Sequence, residues 1–471
     1  MSADLGPLLR PASVAVIGAS ADATVISGLP QRLLAQHGYA GAVYPVNPRY
    51  TDIDGVRCWP DIGAVPGPVD VALIVVNAER VTAVVRECGK AGVRFVVIIS
   101  SGFAEQFDGA ERDNGLRTVC AEYPAMRVIG PNAEGLMNVV DRVPLGFSPT
   151  INYQRGLRTL LAGDVAVISQ SGGLGFALFN DGLARGLGFS HVISTGNELD
   201  LDVADLAEYL LDDPATRILL LFVEGLDQPG RLGAIAAGAT ALGKRVVLAK
   251  VGVSAAGSRA ALAHTAHHTG DEAWFARLIA EHGVLRARDQ EEMVDFALAL
   301  SRTRQPTGRR IGIMTTSGGA GTWLADDVVA AGLDLPVLST ELQARLRTLI
   351  PAFGSPANPV DATAQVLGRG GLAPLLRLVA DSGEVDALVQ VATLADTHQL
   401  EREGAALAEV AADIPLVIYS YTRPAQASVD LLAELGIAYF TSGRRVAGAL
   451  AALVPRKQIR HSQPRDGHNL A

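Results

Sequence analysis

Three times along the chain, short runs rich in Val and Ile alternate with helix-like stretches, and this repetition restricts the fold more than any other feature. In the first series SVAVIGAS, AVYPVNP, VDVALIVV, FVVIIS and RVIG are separated by segments such as VTAVVRECGKAG. Such alternation is the pattern of βαβ units, which build a parallel sheet with helices on both faces. A second series (DVAVIS, HVIST, ILLLFVE, RVVLAK) closes with the helical EEMVDFALALSRT and the polar RQPTGRR. A third opens with IGIMTTSGGAG and continues through DALVQVAT and PLVIYSY toward a last helix near Arg445 to Leu453.

The 471 residues suit about three domains of roughly 150 residues each. The expected bounds are 1–140, 160–304 and 309–455, with 456–471 a disordered tail. The segment from Asp141 to Leu161 loses the alternation and carries Pro144, Gly146 and Pro149, so it reads as a linker. Ser171 to Gly175 and Ser317 to Gly321 share the pattern SGGxG, a hint of a duplicated fold.

Composition narrows the function. The net charge is −9 and no Lys/Arg-rich block stands outside the tail, which argues against a nucleic-acid partner. Cys58, Cys88 and Cys120 form no CxxC pair and read as small core residues of a reducing compartment. The N-terminus lacks the charged-then-apolar pattern of a secretory signal, and no apolar run reaches about 18 residues. The expectation is a cytoplasmic protein without a membrane partner.

Glycine-bearing turns follow several strands. Gly18 and Ser20 lie on the first, where helix-start amides attract an anion and glycine lets a phosphate come close. The next strand ends in Pro45, Asn47, Pro48 and Arg49, and Arg49 is suited to grip a phosphate. That strand end lacks the acidic residue that a nicotinamide ribose requires. Ser100, Ser101 and Gly102 end another strand, and IGPNAEG (Gly130 to Gly135) follows the next. Several such edges facing one crevice suggest a large anionic ligand. In the second series Ser169, Ser171, Gly172 and Gly173 stand between strand and helix, again a phosphate cradle by geometry. With Ser169 in the first position the stretch is not the GxSxG of a hydrolase elbow. His264, His267 and His268 lie in a small-residue stretch; no carboxylate or cysteine at metal-like spacing accompanies them, so no metal is assigned. Neutral imidazole is a competent nucleophile toward phosphorus.

The ordered series VAVIGAS, YPVNP, GF-x-E, IGPN-x-x-G, ISQSGG, GNELDLDVADLAEYL, a strand ending in Glu224 and the loop before GDEAWF resembles the nucleoside-diphosphate-forming acyl-CoA synthetases, over roughly residues 8 to 455. The resemblance implies a Rossmann-like coenzyme A-binding domain followed by two flavodoxin-like, succinyl-CoA synthetase-like α/β domains. It places His264 on the histidine that carries the phosphoryl group, Glu224 on the glutamate that orients that ring, and Ser171, Gly172 and Gly173 on the phosphoryl-binding helix terminus. Coenzyme A then falls to Gly18, Ser20, Pro45, Asn47, Arg49, Ser101 and Gly102. The family's ATP-grasp part, which binds Mg-ATP, is missing from these residues, so a separate ATP-grasp β-type subunit, an oligomeric assembly and a small carboxylic acid substrate are implied. The chain departs from the family pattern at Asn77, at Ala133 and Glu134, and at Ala266, His267 and His268. Feruloyl-CoA synthetases of the superfamily also carry a glutamate in the IGPN turn, which brings aromatic acids among the candidates. The altered histidine loop keeps open an alternative, a CoA- or acyl-CoA-binding protein that has lost catalysis.

Overall fold

The computed structural model describes residues 4–226, 228–259 and 272–455. Three sheets organise them. The first contains β1 (Ser13–Ile17), β2 (Ala42–Val46), β5 (Val71–Ile74), β6 (Phe95–Ile98) and β7 (Arg127–Ile129), all parallel in the order β2-β1-β5-β6-β7. A small hairpin, β3 (Asp52–Ile53) and β4 (Val56–Arg57), projects beyond β2. Every residue of β1, β5 and β6 is buried, as helices on both faces require, and this is why these strands are continuous apolar runs apart from Ser13.

The second sheet runs β14-β13-β12-β10-β11-β8-β9. Its body is parallel: β10 (Ala162–Ser169), β11 (Phe189–Ser194), β12 (Ile218–Val223), β13 (Arg245–Lys250) and β14 (Leu285–Arg286). A hairpin of β8 (Gly135–Asn138) and β9 (Val143–Gly146) extends it, antiparallel to β11. The expected linker Asp141–Leu161 therefore contains an ordered edge strand. Pro144 is tolerated there because an edge strand leaves one row of amides unpaired, and Leu136 and Leu145 of the hairpin are fully buried. The third sheet, β16-β15-β17-β18-β19, is parallel throughout: β15 (Ile311–Thr315), β16 (Val360–Asp361), β17 (Ala387–Ala392), β18 (Leu416–Ser420) and β19 (Ala438–Phe440).

Two shared cores join the sheets. Val14, Val16 and Leu73 of the first pack in one cluster with Leu136, Ile168 and Ile193 of the second. Val167, Phe189 and Leu220 of the second, with Phe176 and Phe179 of the helix Gly172–Ala184, share another with Ile311, Ile313 and Phe440 of the third. The helix Gln290–Arg302 lies in this second core and is buried at every residue from Met293 to Leu300. Its one charged residue in that stretch, Asp295, accepts from Arg185 and twice from Arg445 at 2.6–2.7 Å, a buried ion triad. The three cysteines are free, and burial pushes the Cys88 thiol up to about 12. Among the described residues, no helix is long and apolar enough to cross a membrane.

Candidate active site

In each sheet the chain leaves its first parallel strand toward one side and returns on the other, and the crevice at such a switch point is where open α/β sheets hold ligands. In the first sheet this lies between β1 and β5. Gly18 closes β1 with φ +96° and donates to the Val46 carbonyl at 2.8 Å. A Cβ there would lie 2.8 Å from Val76 Cγ1 and 2.9 Å from the Val75 carbonyl oxygen, so glycine is required both by conformation and by space. The Asn47 amide donates to the Ala19 carbonyl at 2.8 Å and its Oδ1 accepts from the Arg49 backbone at 3.0 Å. The end of β2 is thereby fastened to the β1 turn, with Pro45 buried behind it and Arg49 exposed. Ser20 uses its hydroxyl on the Asp22 amide at 3.1 Å, which shapes the turn.

Ser101 and Gly102 stand one strand further along. Ser101 is exposed, and Gly102 faces Ala78 beyond the end of β5. The Gly102 amide donates to Glu105 Oε1 at 2.5 Å, and Asn197 of the second unit donates to Glu105 Oε2 at 2.5 Å. The seven residues assigned to coenzyme A thus lie along the carboxyl ends of β1, β2 and β6, with β5 between them.

The second cradle is at the end of β10. Ser169 Oγ donates to the Ser171 carbonyl at 2.6 Å, and Ser171 precedes the helix Gly172–Ala184 without capping it by its side chain. The first-turn amides of that 13-residue helix therefore have no side-chain acceptor from Ser171. A Cβ on Gly173 would meet nothing within 4 Å, so the turn is open on that side. Beside it, Glu134 lies so close to Gly172 that a Cβ there would be 2.9 Å from its own. Burial pushes the Glu134 carboxyl above its usual range, against a hydrogen bond from Ser148.

Glu224 follows β12 directly across the β10/β12 switch point and is 7% exposed. Its amide donates to Gln170 Oε1 at 2.6 Å, and its carbonyl accepts from Lys250 Nζ at 3.0 Å. Gln170 also accepts from the Gly225 amide at 3.1 Å, donates to the Gly225 carbonyl at 2.8 Å, and donates to Glu198 Oε2 at 2.6 Å. Glu198 sits in the left-handed region at φ +55° and accepts further from Thr195 Oγ1 at 2.8 Å and the Val203 amide at 2.9 Å. Burial pushes its carboxyl up to about 7 in spite of those donors.

The structure thus brings Ser171, Gly172, Gly173 and Glu224 to the carboxyl ends of two adjacent strands. His264, His267 and His268 lie outside the described residues, as does the tail 456–471. Among the described residues no cluster of three His, Cys, Asp or Glu is placed to hold a metal. Sequence reading passed over Gln170 and Glu198, although both stand inside the motifs it quoted. The third unit repeats the second locally: Thr315 Oγ1 donates to the Ser317 carbonyl at 2.7 Å before the helix Gly318–Ala330. There Asp361 crowds the first glycine, as Glu134 does in the second unit.

Comparison with known proteins matches three family models in succession: a CoA binding domain over residues 12–137, a succinyl-CoA ligase-like flavodoxin domain over 162–300 and a ligase-CoA domain over 311–413. The α subunit of the ADP-forming acetate–CoA ligase II of Pyrococcus furiosus is 34% identical over 452 residues, covering 94% of this chain and 96% of its own. The chain belongs to the nucleoside-diphosphate-forming acyl-CoA synthetase family. Within that family a trans-feruloyl-CoA synthase from an unknown prokaryotic organism is 35% identical over 361 residues, 76% of this chain and 50% of its own length. Among solved structures, the dinucleotide-forming acetyl-coenzyme A synthetase 1 of Candidatus Korarchaeum cryptofilum, in complex with phosphate and ADP, superposes with a TM-score of 0.83 at 32% identity, covering 96% of both chains. The fold is accordingly that of a CoA-binding domain followed by two parallel-sheet, succinyl-CoA ligase-like domains, and coenzyme A binding belongs to the first.

Proposed function

We propose that this chain is the CoA-binding catalytic part of an ADP-forming acyl-CoA synthetase, joining a carboxylic acid to CoA at the expense of ATP. The observation that carries this reading is the meeting of an open helix N-terminus at Gly172 with the buried Glu224 across one switch point, in a chain whose first domain binds CoA. His264 receives the phosphoryl group, oriented by Glu224, and the amides from Ser171 to Gly173 hold the phosphoryl oxygens as charge develops on them. The carboxylate of the acid then attacks phosphorus, the N–P bond breaks, and an acyl phosphate forms. Finally the CoA thiol loses its proton and attacks the acyl carbon; the C–S bond forms, the C–O bond breaks, and phosphate leaves. Gly18, Ser20, Pro45, Asn47, Arg49, Ser101 and Gly102 hold CoA at the edge of the first sheet. Mg-ATP sits on a separate ATP-grasp subunit, consistent with relatives whose own name is that of an α subunit. The complex works in the cytoplasm, and the domain bounds are 1–140, 160–304 and 309–455 except that the hairpin Gly135–Gly146 joins the second sheet.

The test is to combine the chain with an ATP-grasp subunit, ATP, CoA and a panel of aliphatic and aromatic acids, and to follow ADP. ADP formation that requires both an acid and CoA is expected. CoA binding with no such turnover on any acid would instead favour a binding protein that has lost catalysis.

A further inference from the structure

The Gln170 side chain has four hydrogen-bonding valences, two lone pairs on Oε1 and two protons on Nε2, and all four are used. Oε1 takes the amides of Glu224 and Gly225, while Nε2 gives to the Gly225 carbonyl and to Glu198. This pattern fixes which end is oxygen, since the reversed amide would set Nε2 against two N–H donors. At 6% exposure, Gln170 has little water to replace a lost partner. Glu198 is itself held by Thr195 and the Val203 amide, so it is a fixed anchor. The neighbouring Asn197 binds Glu105, which holds the Gly102 amide at the edge of the first sheet.

We infer that Gln170, anchored by Glu198, is a positioning residue that sets the backbone of Glu224 and through it the orientation of the histidine that carries phosphate. This rests on the function proposed above. The pair works by fixing the point where β12 ends. Misplacing a catalytic group by about 1 Å costs on the order of 100-fold in rate.

The experiment follows phosphorylation of the full-length chain by acetyl phosphate, together with CoA affinity by calorimetry. Gln170→Met keeps the volume and removes every bond; it is expected to phosphorylate about 10- to 100-fold more slowly with CoA affinity unchanged. Gln170→Glu sets two carboxyls against each other and is expected to be slower still. Combining it with Glu198→Gln exchanges donor and acceptor between the two side chains, while the Gly225 carbonyl still faces a carboxylate oxygen, and is expected to recover part of the lost rate, as a coupled pair should. A packing role alone would give no such recovery. Folded Gln170→Met phosphorylating at the wild-type rate overturns the inference. If Gln170→Met does not fold, the exchanged pair decides: a folded double variant that stays as slow as Gln170→Glu overturns it. Wild type that takes no phosphate removes the underlying reading instead, a result distinct from both.

Discussion

Replacing Glu224 with glutamine is expected to slow phosphoryl transfer to His264 by about 10²- to 10⁴-fold, the range that a positioned acid–base partner contributes. As the ring nitrogen attacks phosphorus the imidazole becomes cationic, and a buried carboxylate stabilises that charge while fixing the tautomer. Glutamine keeps the size of the side chain and removes the charge. The backbone of Glu224 is fastened by Gln170 and Lys250, so the substitution leaves the strand end in place and isolates the role of the side chain. Single-turnover phosphorylation with acetyl phosphate measures it, and a rate within a few-fold of wild type would show that Glu224 does not serve the histidine. CoA affinity is expected to stay unchanged, since Glu224 follows β12 in the second sheet and the CoA edge belongs to the first.

Asp295→Ala is expected to have the largest effect on stability. The carboxylate is 3% exposed and holds two guanidinium groups, one from each side of the core shared by the second and third sheets. Removing it leaves Arg185 and Arg445 facing each other, and a broken buried pair costs about 3–5 kcal/mol. Arg445 is partly exposed at 24%, which places the expected value toward the lower end. Hydrogen exchange is the suitable measurement, because a chain of several domains need not unfold in one step. Amides of Gln290–Arg302 and Gly443–Leu453 are expected to exchange about 10²-fold faster or more, with the first sheet unaffected. Uniform exchange across all three sheets would contradict this local role.

Much of the architecture was legible because buried parallel strands announce themselves. FVVI and ILLLFV are apolar at every position, as SVAVI is after Ser13, and each became a strand buried on both faces. The stretch after Asn138 was harder to read. Pro144 looked like a breaker, and nothing local reveals that β9 would lie at a sheet edge, beside a strand that pairs with β11 more than fifty residues later. The glycine turns were equally legible, since positions such as Gly18 follow from a φ that only glycine adopts easily. Gln170 and Glu198 were not. Their importance lies in contacts with residues 54 and 28 positions apart in sequence, and only the pairing of β10 with β12 and β11 brings these together. Glu134 was noticed as a departure from the family pattern, but its place against Gly172 depends on how the first and second sheets join.

The proposed reaction passes through one histidine. Wild type and His264→Ala should be incubated with acetyl phosphate, and with ATP plus an ATP-grasp subunit, and weighed intact. The expected result is one acid-labile phosphate on wild type and none on the variant. Phosphate that persists in His264→Ala, or wild type that binds CoA yet never gains phosphate, would contradict the account.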